Sequence, residues 1–256
     1  MAMARTVPAV VRALDILELF LSGEDRSIPE ITATLGLPKT TVHELVNTLV
    51  TRSYLVAHPD KPHRYRLGLP VFRLGSVFAE QVDLAREGRV ASEQVSATSQ
   101  ETVHVAVLDG TEVLYVAKAD SPHAVRLVSA VGRKLPAHCT AVGKMLLASL
   151  PAEEFAQRYP DGTTLAAMTA RSITSVADLS QHLRQIAERG LAYEYCESNE
   201  AAACVAAPVR DRSGRVVAAM SISVPTPRWS EQVGAKLGEL VAEGANRLSA
   251  QLGYYD

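Results

Sequence analysis

The chain has 256 residues, room for two modest domains, and 47% of them are hydrophobic, enough to bury a core in each. Net charge is only −2, and no window approaches the ~18 uninterrupted apolar residues of a membrane span. Three cysteines, Cys139, Cys196 and Cys204, are too few and too irregular for a disulfide framework, and the apolar start is broken by Arg12 and Asp15, which argues against a signal peptide, so a cytoplasmic protein is expected.

The first helix is expected from about Pro8 to Leu21, with Val11, Leu14, Ile16, Leu17 and Phe20 spread over more than one side. Such breadth suits packing on its own domain and on a neighbour. Ser27 followed by Glu30 is a capping-box signature, so a short helix should start there, with Ile28, Ile31 and Leu35 inward and Gly36 as its stop. Pro38 then falls in the first turn of another helix, whose Val42, Leu45, Val46, Leu49 and Val50 recur at helical spacing. Its opposite face carries Thr40, Glu44, Asn47, Thr48 and Thr51, with His43 at the edge, short polar side chains suited to close approach to a hydrogen-bonding surface.

Strand-like runs follow at Ser53 to Ala57 and His63 to Gly68, about the turn His58-Pro59-Asp60-Lys61-Pro62. Two helices around a glycine turn plus this hairpin predict a winged helix-turn-helix, whose second helix enters the DNA major groove. From Pro38 to Arg73 six Lys/Arg stand against Glu44 and Asp60, an excess of four where phosphates would lie. Base reading is therefore expected from Thr40, Thr41, His43, Glu44 and Asn47, and phosphate contact from Lys39, Arg52, Arg64 and Arg66.

Helical character continues from Leu69 to Val90, broken only at Gly75 and Gly88, and a further helix is expected over Leu84 to Gln100. The texture then becomes strand-rich: Thr102 to Leu108, Thr111 to Ala119 and Ala124 to Ser129. Helices are expected at Ala141 to Leu150, Ala152 to Arg158 and Val176 to Arg189, the last capped by Ser175 with Asp178 and stopped by Gly190. Strands resume at Leu191 to Tyr195, Ala203 to Arg210 and Arg215 to Ser223, before a final helix after Ser230. Strands flanked by helices predict an α+β domain. Within it, the N–H groups of Ala141, Val142 and Gly143 open a helix and are placed to receive an anion, and Ser221 and Ser223 alternate along one strand and so face the same side.

Five stretches make the chain resemble the IclR family of bacterial transcriptional regulators from end to end. They are Val11 to Leu17 (VRALDIL), Leu37 to His43 (LPKTTVH), Gly132 to Lys144 (GRKLPAHCTAVGK), Cys204 to Val209 (CVAAPV) and Leu248 to Gly253 (LSAQLG). The resemblance implies a winged helix-turn-helix DNA-binding domain over 1–70, a linker helix over 71–82 and a GAF-like effector-binding domain over 83–256. It also implies that the first helix helps DNA-binding domains pair, and that Leu135, Ala141, Val142, Glu194, Cys204, Ser221 and Ser223 line an effector pocket. The function expected from it is an effector-responsive repressor, acting as a homodimer or homotetramer on a palindromic double-stranded DNA operator. Its effector should be a small organic acid, and the scarcity of aromatics leans toward an aliphatic one.

This chain departs from the family pattern twice. Glu44 stands where an Arg is usual, and Glu197 to Ala203 (ESNEAAA) replaces a glycine turn. Other chemistries fare worse. Ala141 to Met145 lacks the leading glycine and the Ser/Thr of a P-loop, His138 with the three cysteines has no paired metal-ligand spacing, and no nucleophile elbow or triad order supports catalysis. No cofactor, metal or membrane partner is expected. The competing expectation is a small-molecule-binding enzyme with an accessory nucleic-acid-binding module.

Overall fold

A computed structural model describes residues 6–81, 83–126 and 129–254. The chain divides into two compact units, 1–81 and 82–256.

The first unit holds α1 (Pro8–Glu18), prolonged by a 3-10 turn to Ser22, then β1 (Arg26–Ser27), α2 (Ile28–Leu35) and α3 (Lys39–Thr51). It continues with β2 (Leu55–Ala57), β3 (Arg64–Leu67) and α4 (Leu69–Gln81). The capping box of α2 is complete: Ser27 Oγ accepts from Glu30 N while Glu30 Oε2 accepts from Ser27 N at 2.7 Å. Gly36, at φ +64°, closes the helix in the left-handed conformation that a Cβ would disfavour. Pro38 is the N-cap of α3 rather than part of its first turn. Ile16, Phe20, Ile31, Val42, Val46, Leu49 and Leu55 form the core.

β1 was not visible in the sequence. It pairs antiparallel with β3 (Arg26 with Tyr65, Ser27 with Arg64), so the hairpin is the larger part of a three-stranded sheet in the order β1-β3-β2. The unit also leaves an apolar stripe uncovered. On α1, Val10 is 56% and Leu14 53% exposed; on α4, Phe72 is 70% exposed, with Leu69, Leu74 and Val77 similarly open.

The second unit is a six-stranded antiparallel sheet between helical layers. After α5 (Asp83–Ser99) come β4 (Thr102–Asp109), β5 (Glu112–Ala119), β6 (Lys134–Pro136), α6 (Ala141–Ala148), α7 (Ala152–Arg158) and α8 (Val176–Arg189). They are followed by β7 (Ala192–Tyr195), β8 (Ala202–Arg210), β9 (Val216–Pro225) and α9 (Glu231–Gln251), with strand order β6-β5-β4-β9-β8-β7. Alternation splits the strand residues between two cores. Val105, Val205, Met220 and Ile222 pack under α5 and α9, while Ala106, Val113, Ala206 and Ala219 pack under α6 and α8. Side chains that share the second set's parity, including Tyr115, His104, Ser221, Ser223, Cys204 and Glu194, therefore lie on the α6 face.

Two expectations are corrected and one strand was missed. Gly75 and Gly88 do not break their helices; a Cβ on Gly88 would come within 3.3 Å of the Ala117 Cβ, so the glycine lets α5 settle on the sheet. Of the strand expected over Ala124 to Ser129, residues 124–126 and 129 are not strand, and 127–128 lie outside the described residues. The edge strand β6 was missed because three residues ending in Pro136 carry no alternation to read.

Candidate functional site

In the first unit α3 buries Val42, Val46 and Leu49 and turns its other side outward. Lys39, Thr40, His43, Glu44 and Asn47 are exposed, Thr41 is half-buried, and Arg52 is exposed at the C-terminal end. No acidic residue occupies the first turn. A lysine at the positive end of the helix dipole is locally unfavourable, and both charges favour an anion such as a phosphate there. His43 and Asn47 are joined at 3.1 Å, Nδ2 of Asn47 donating to Nδ1 of His43. The hydroxyls of Thr48 and Thr51 donate to the carbonyls of Glu44 and Asn47, each at 2.8 Å.

The two wing arginines differ. Arg66 is exposed on β3. Arg64, half-buried, donates to Glu30 and to the carbonyl of Asp25, and so fastens the wing to the N-terminus of α2. Lys61 pairs with Asp25 at 2.8 Å, and His58 lies 3.5 Å from the same carboxylate. Lys61 hydrogen bonding holds the Asp25 carboxyl below its usual proton affinity, and the Ser27 backbone bond does the same for Glu30. Arg64 thus has a structural task that the sequence did not suggest, which leaves Arg66 as the wing's free cation among the described residues.

In the second unit a row of buried polar groups crosses the α6 face of the sheet. Ser221 (3% exposed) is the β9 register partner of His104 on β4, and Ser223 (5%) that of Cys204 on β8. Cys204 in turn pairs with Glu194 on β7. The thiol of Cys204 donates to Ser223 Oγ at 3.3 Å, Ser223 Oγ lies 3.4 Å from His104 Nδ1, and His104 Nε2 lies 2.6 Å from Ser129 Oγ. Leu135, on β6 opposite Val113, packs against the same core.

At the other end of the row Lys144, fully buried on α6, pairs with Glu197 at 2.6 Å. One oxygen of Glu194 accepts the backbone N–H groups of Glu197 and Ser198; its Oε2 and that of Glu197 are buried without a partner among the described residues. Burial dominates the electrostatics. It raises the proton affinities of Glu194, Glu197 (there opposed by Lys144) and the Cys204 thiol, and it lowers His104 to about 3.

The N-terminus of α6 needs one correction. Ala141, Val142 and Gly143 are all buried beside this row, but the Gly143 N–H is taken by the capping hydroxyl of Thr140 at 3.1 Å. The anion-facing role expected of the helix start therefore narrows to the Ala141 and Val142 N–H groups. Gly143 has a different function: a Cβ there would stand 2.2 Å from the Ala137 carbonyl oxygen, so the glycine allows α6 to close on the preceding 3-10 turn. A cavity of about 620 Å³ lies elsewhere, lined by Met145, Pro151, Ile186, Arg210 and Arg215 among others, and includes neither Ser221, Ser223 nor Cys204.

Two family models cover most of the chain: residues 9–59 match the IclR helix-turn-helix domain, and residues 77–250 match the bacterial transcriptional regulator IclR C-terminal domain. The chain belongs to the IclR family. It is 34% identical to the HTH-type transcriptional regulator KdgR of Escherichia coli (98% of this chain, 95% of that protein). It is 31% identical to the HTH-type transcriptional repressor AllR of Klebsiella pneumoniae (96% and 90%). A solved IclR homolog from Microbacterium hydrocarbonoxydans, complexed with 4-hydroxybenzoate, superposes with a TM-score of 0.82 at 24% identity, covering 95% of this chain and 98% of that one. This protein is accordingly an IclR-family transcriptional regulator with DNA as a partner, and the enzyme alternative is set aside.

Within the IclR frame, sequence reasoning singled out none of Lys144, Glu197, Tyr115 and His104 as site residues. His104 shares the face of the two serines, its ring 4.7 Å from that of Tyr115. Its alternation with Ala106 on β4 was the available signal. Lys144 gave none, because its partner is 53 residues away.

Proposed function

We propose that this regulator is a repressor that binds a palindromic operator as a homodimer or homotetramer in the cytoplasm. The DNA-binding domain spans 1–70, a linker helix 71–82, and an effector domain 83–256 holds a small organic acid between α6 and the sheet. The observation that carries this reading is the joining, in one chain, of an outward polar helix flanked by Lys39, Arg52 and Arg66 with a buried row of Ser221, Ser223, Cys204 and Glu194 beneath the start of α6.

Serine hydroxyls and first-turn N–H groups suit a carboxylate, and the near-complete burial of both serines favours a small aliphatic acid over a bulky ring. The proton affinity of Glu194, raised by burial, works against its carrying a full charge beside an acid. The uncovered apolar residues of α1 and α4 support self-association. Repression agrees with AllR, the relative that is a transcriptional repressor.

The test is gel retardation of the promoter next to the regulator's own gene, with and without members of a panel of small acids chosen by thermal shift. The double substitution Ser221→Ala with Ser223→Ala should leave DNA affinity intact and abolish the response to the acid. An unchanged response would remove the serines from the site.

A further inference from the structure

Glu44 occupies the middle of the outward face of α3. It stands between the fully buried Val42 and Val46 in sequence and so projects away from the core, and among the described residues its carboxylate has no ionic partner. A carboxylate carried into a groove walled by phosphates is repelled unless a base donates to it. In the major groove only the N4 amine of cytosine and the N6 amine of adenine donate.

The rest of the face offers no cationic donor. From Thr40 to Thr51 there is no Lys or Arg, the usual readers of guanine O6 and N7. Thr48 and Thr51 have spent their hydroxyl hydrogens on backbone carbonyls and offer only lone pairs and methyls outward. Asn47 spends one amide hydrogen on His43 Nδ1, which fixes its Oδ1 and its second amide hydrogen as the groups left for a base. One acceptor beside one donor is the pattern that complements the adenine edge.

We propose that α3 reads exocyclic amines, with Glu44 accepting from the N4 of a cytosine and Asn47, oriented by His43, engaging a neighbouring adenine in each half-site. This deepens the operator-binding reading above and rests on it. His43 acts through Asn47 and is a positioning residue.

The experiment is selection of bound duplexes from a randomised library by the full-length wild type, Glu44→Gln, Glu44→Ala and Asn47→Ala at one fixed salt concentration. All three substitutions lie on exposed positions, and equal melting temperatures confirm that the fold is kept. The wild type should require cytosine at one half-site position. Glu44→Gln should shift that position alone toward adenine by at least tenfold in base ratio, because a Gln amide pairs bidentately with adenine. Glu44→Ala should lose discrimination there, and Asn47→Ala should lose it at the adjoining adenine.

Half-sites that present guanine to α3, or identical preferences for the wild type and Glu44→Ala, overturn the base assignment while leaving operator binding in place. Failure of the wild type to retard any duplex at low ionic strength overturns operator binding itself, and the base assignment with it.

Discussion

Arg64 and Arg66 are two residues apart on one strand and carry the same charge, yet they do different work. Arg66 is free to neutralise a phosphate, so Arg66→Ala should weaken binding to every sequence and lower the salt slope of log affinity by roughly one, read from retardation at several salt concentrations. Arg64→Ala should leave that slope nearly unchanged and instead lower the melting temperature of the N-terminal unit, because it unties the wing from Glu30 and Asp25. His104 gives a second test at this scale. Its folded pKa of about 3 lies below the ordinary 6.5 because burial disfavours the charged ring, so the unfolded chain takes up a proton in acid that the folded chain refuses. Its contribution is complete above pH 6.5 and is lost progressively as pH falls toward 3, by about 2 kcal/mol between pH 6.5 and 5. Glu194 and Glu197, with raised pKa values, act in the opposite sense above 4.5, so the quantity to measure is a difference. The denaturant midpoint of the wild type should therefore fall relative to that of His104→Gln as the pH is lowered from 7 to 5.

At the level of elements, α6 depends on one small residue at its start. Gly143→Ala should force the helix away from Ala137, destabilising the C-terminal unit by roughly 1–3 kcal/mol and blunting any thermal shift produced by an acid, both readable in one melting series. Elements were the most legible level in the sequence. The capping box at Ser27, the N-cap hydroxyl of Ser175 and the glycine stops at Gly36 and Gly190 announced α2 and α8 to within a residue, since caps are local chemistry. β1 and β6 were illegible for the opposite reason: two or three residues hold too little pattern, and only pairing with Tyr65 or Val113 makes them strands. The candidate site was half legible. Ser221 and Ser223 showed their shared side through strand alternation, whereas the bond between Lys144 and Glu197 depends on how α6 meets the loop after β7, which no local pattern encodes.

For the molecule as a whole, the uncovered apolar stripe of α1 and α4 is what a monomer would have to leave in water. Leu14→Asp, at a position already 53% exposed, should cost the fold little but lower the sedimentation coefficient and weaken operator binding through lost pairing of half-sites.

The short ladder of Arg26 and Ser27 with Tyr65 and Arg64 carries one more implication. Among the described residues the loop before α2, α2 itself and the wing are cross-stitched, which opposes flexing of the wing against α2. In the proposed dimer an effector should then alter the gap between two such grips, as one alters the jaw setting of a caliper without reshaping the jaws. An operator lengthened by a single base pair between its halves should therefore mimic the metabolite, and restoring a full helical turn should cancel the effect.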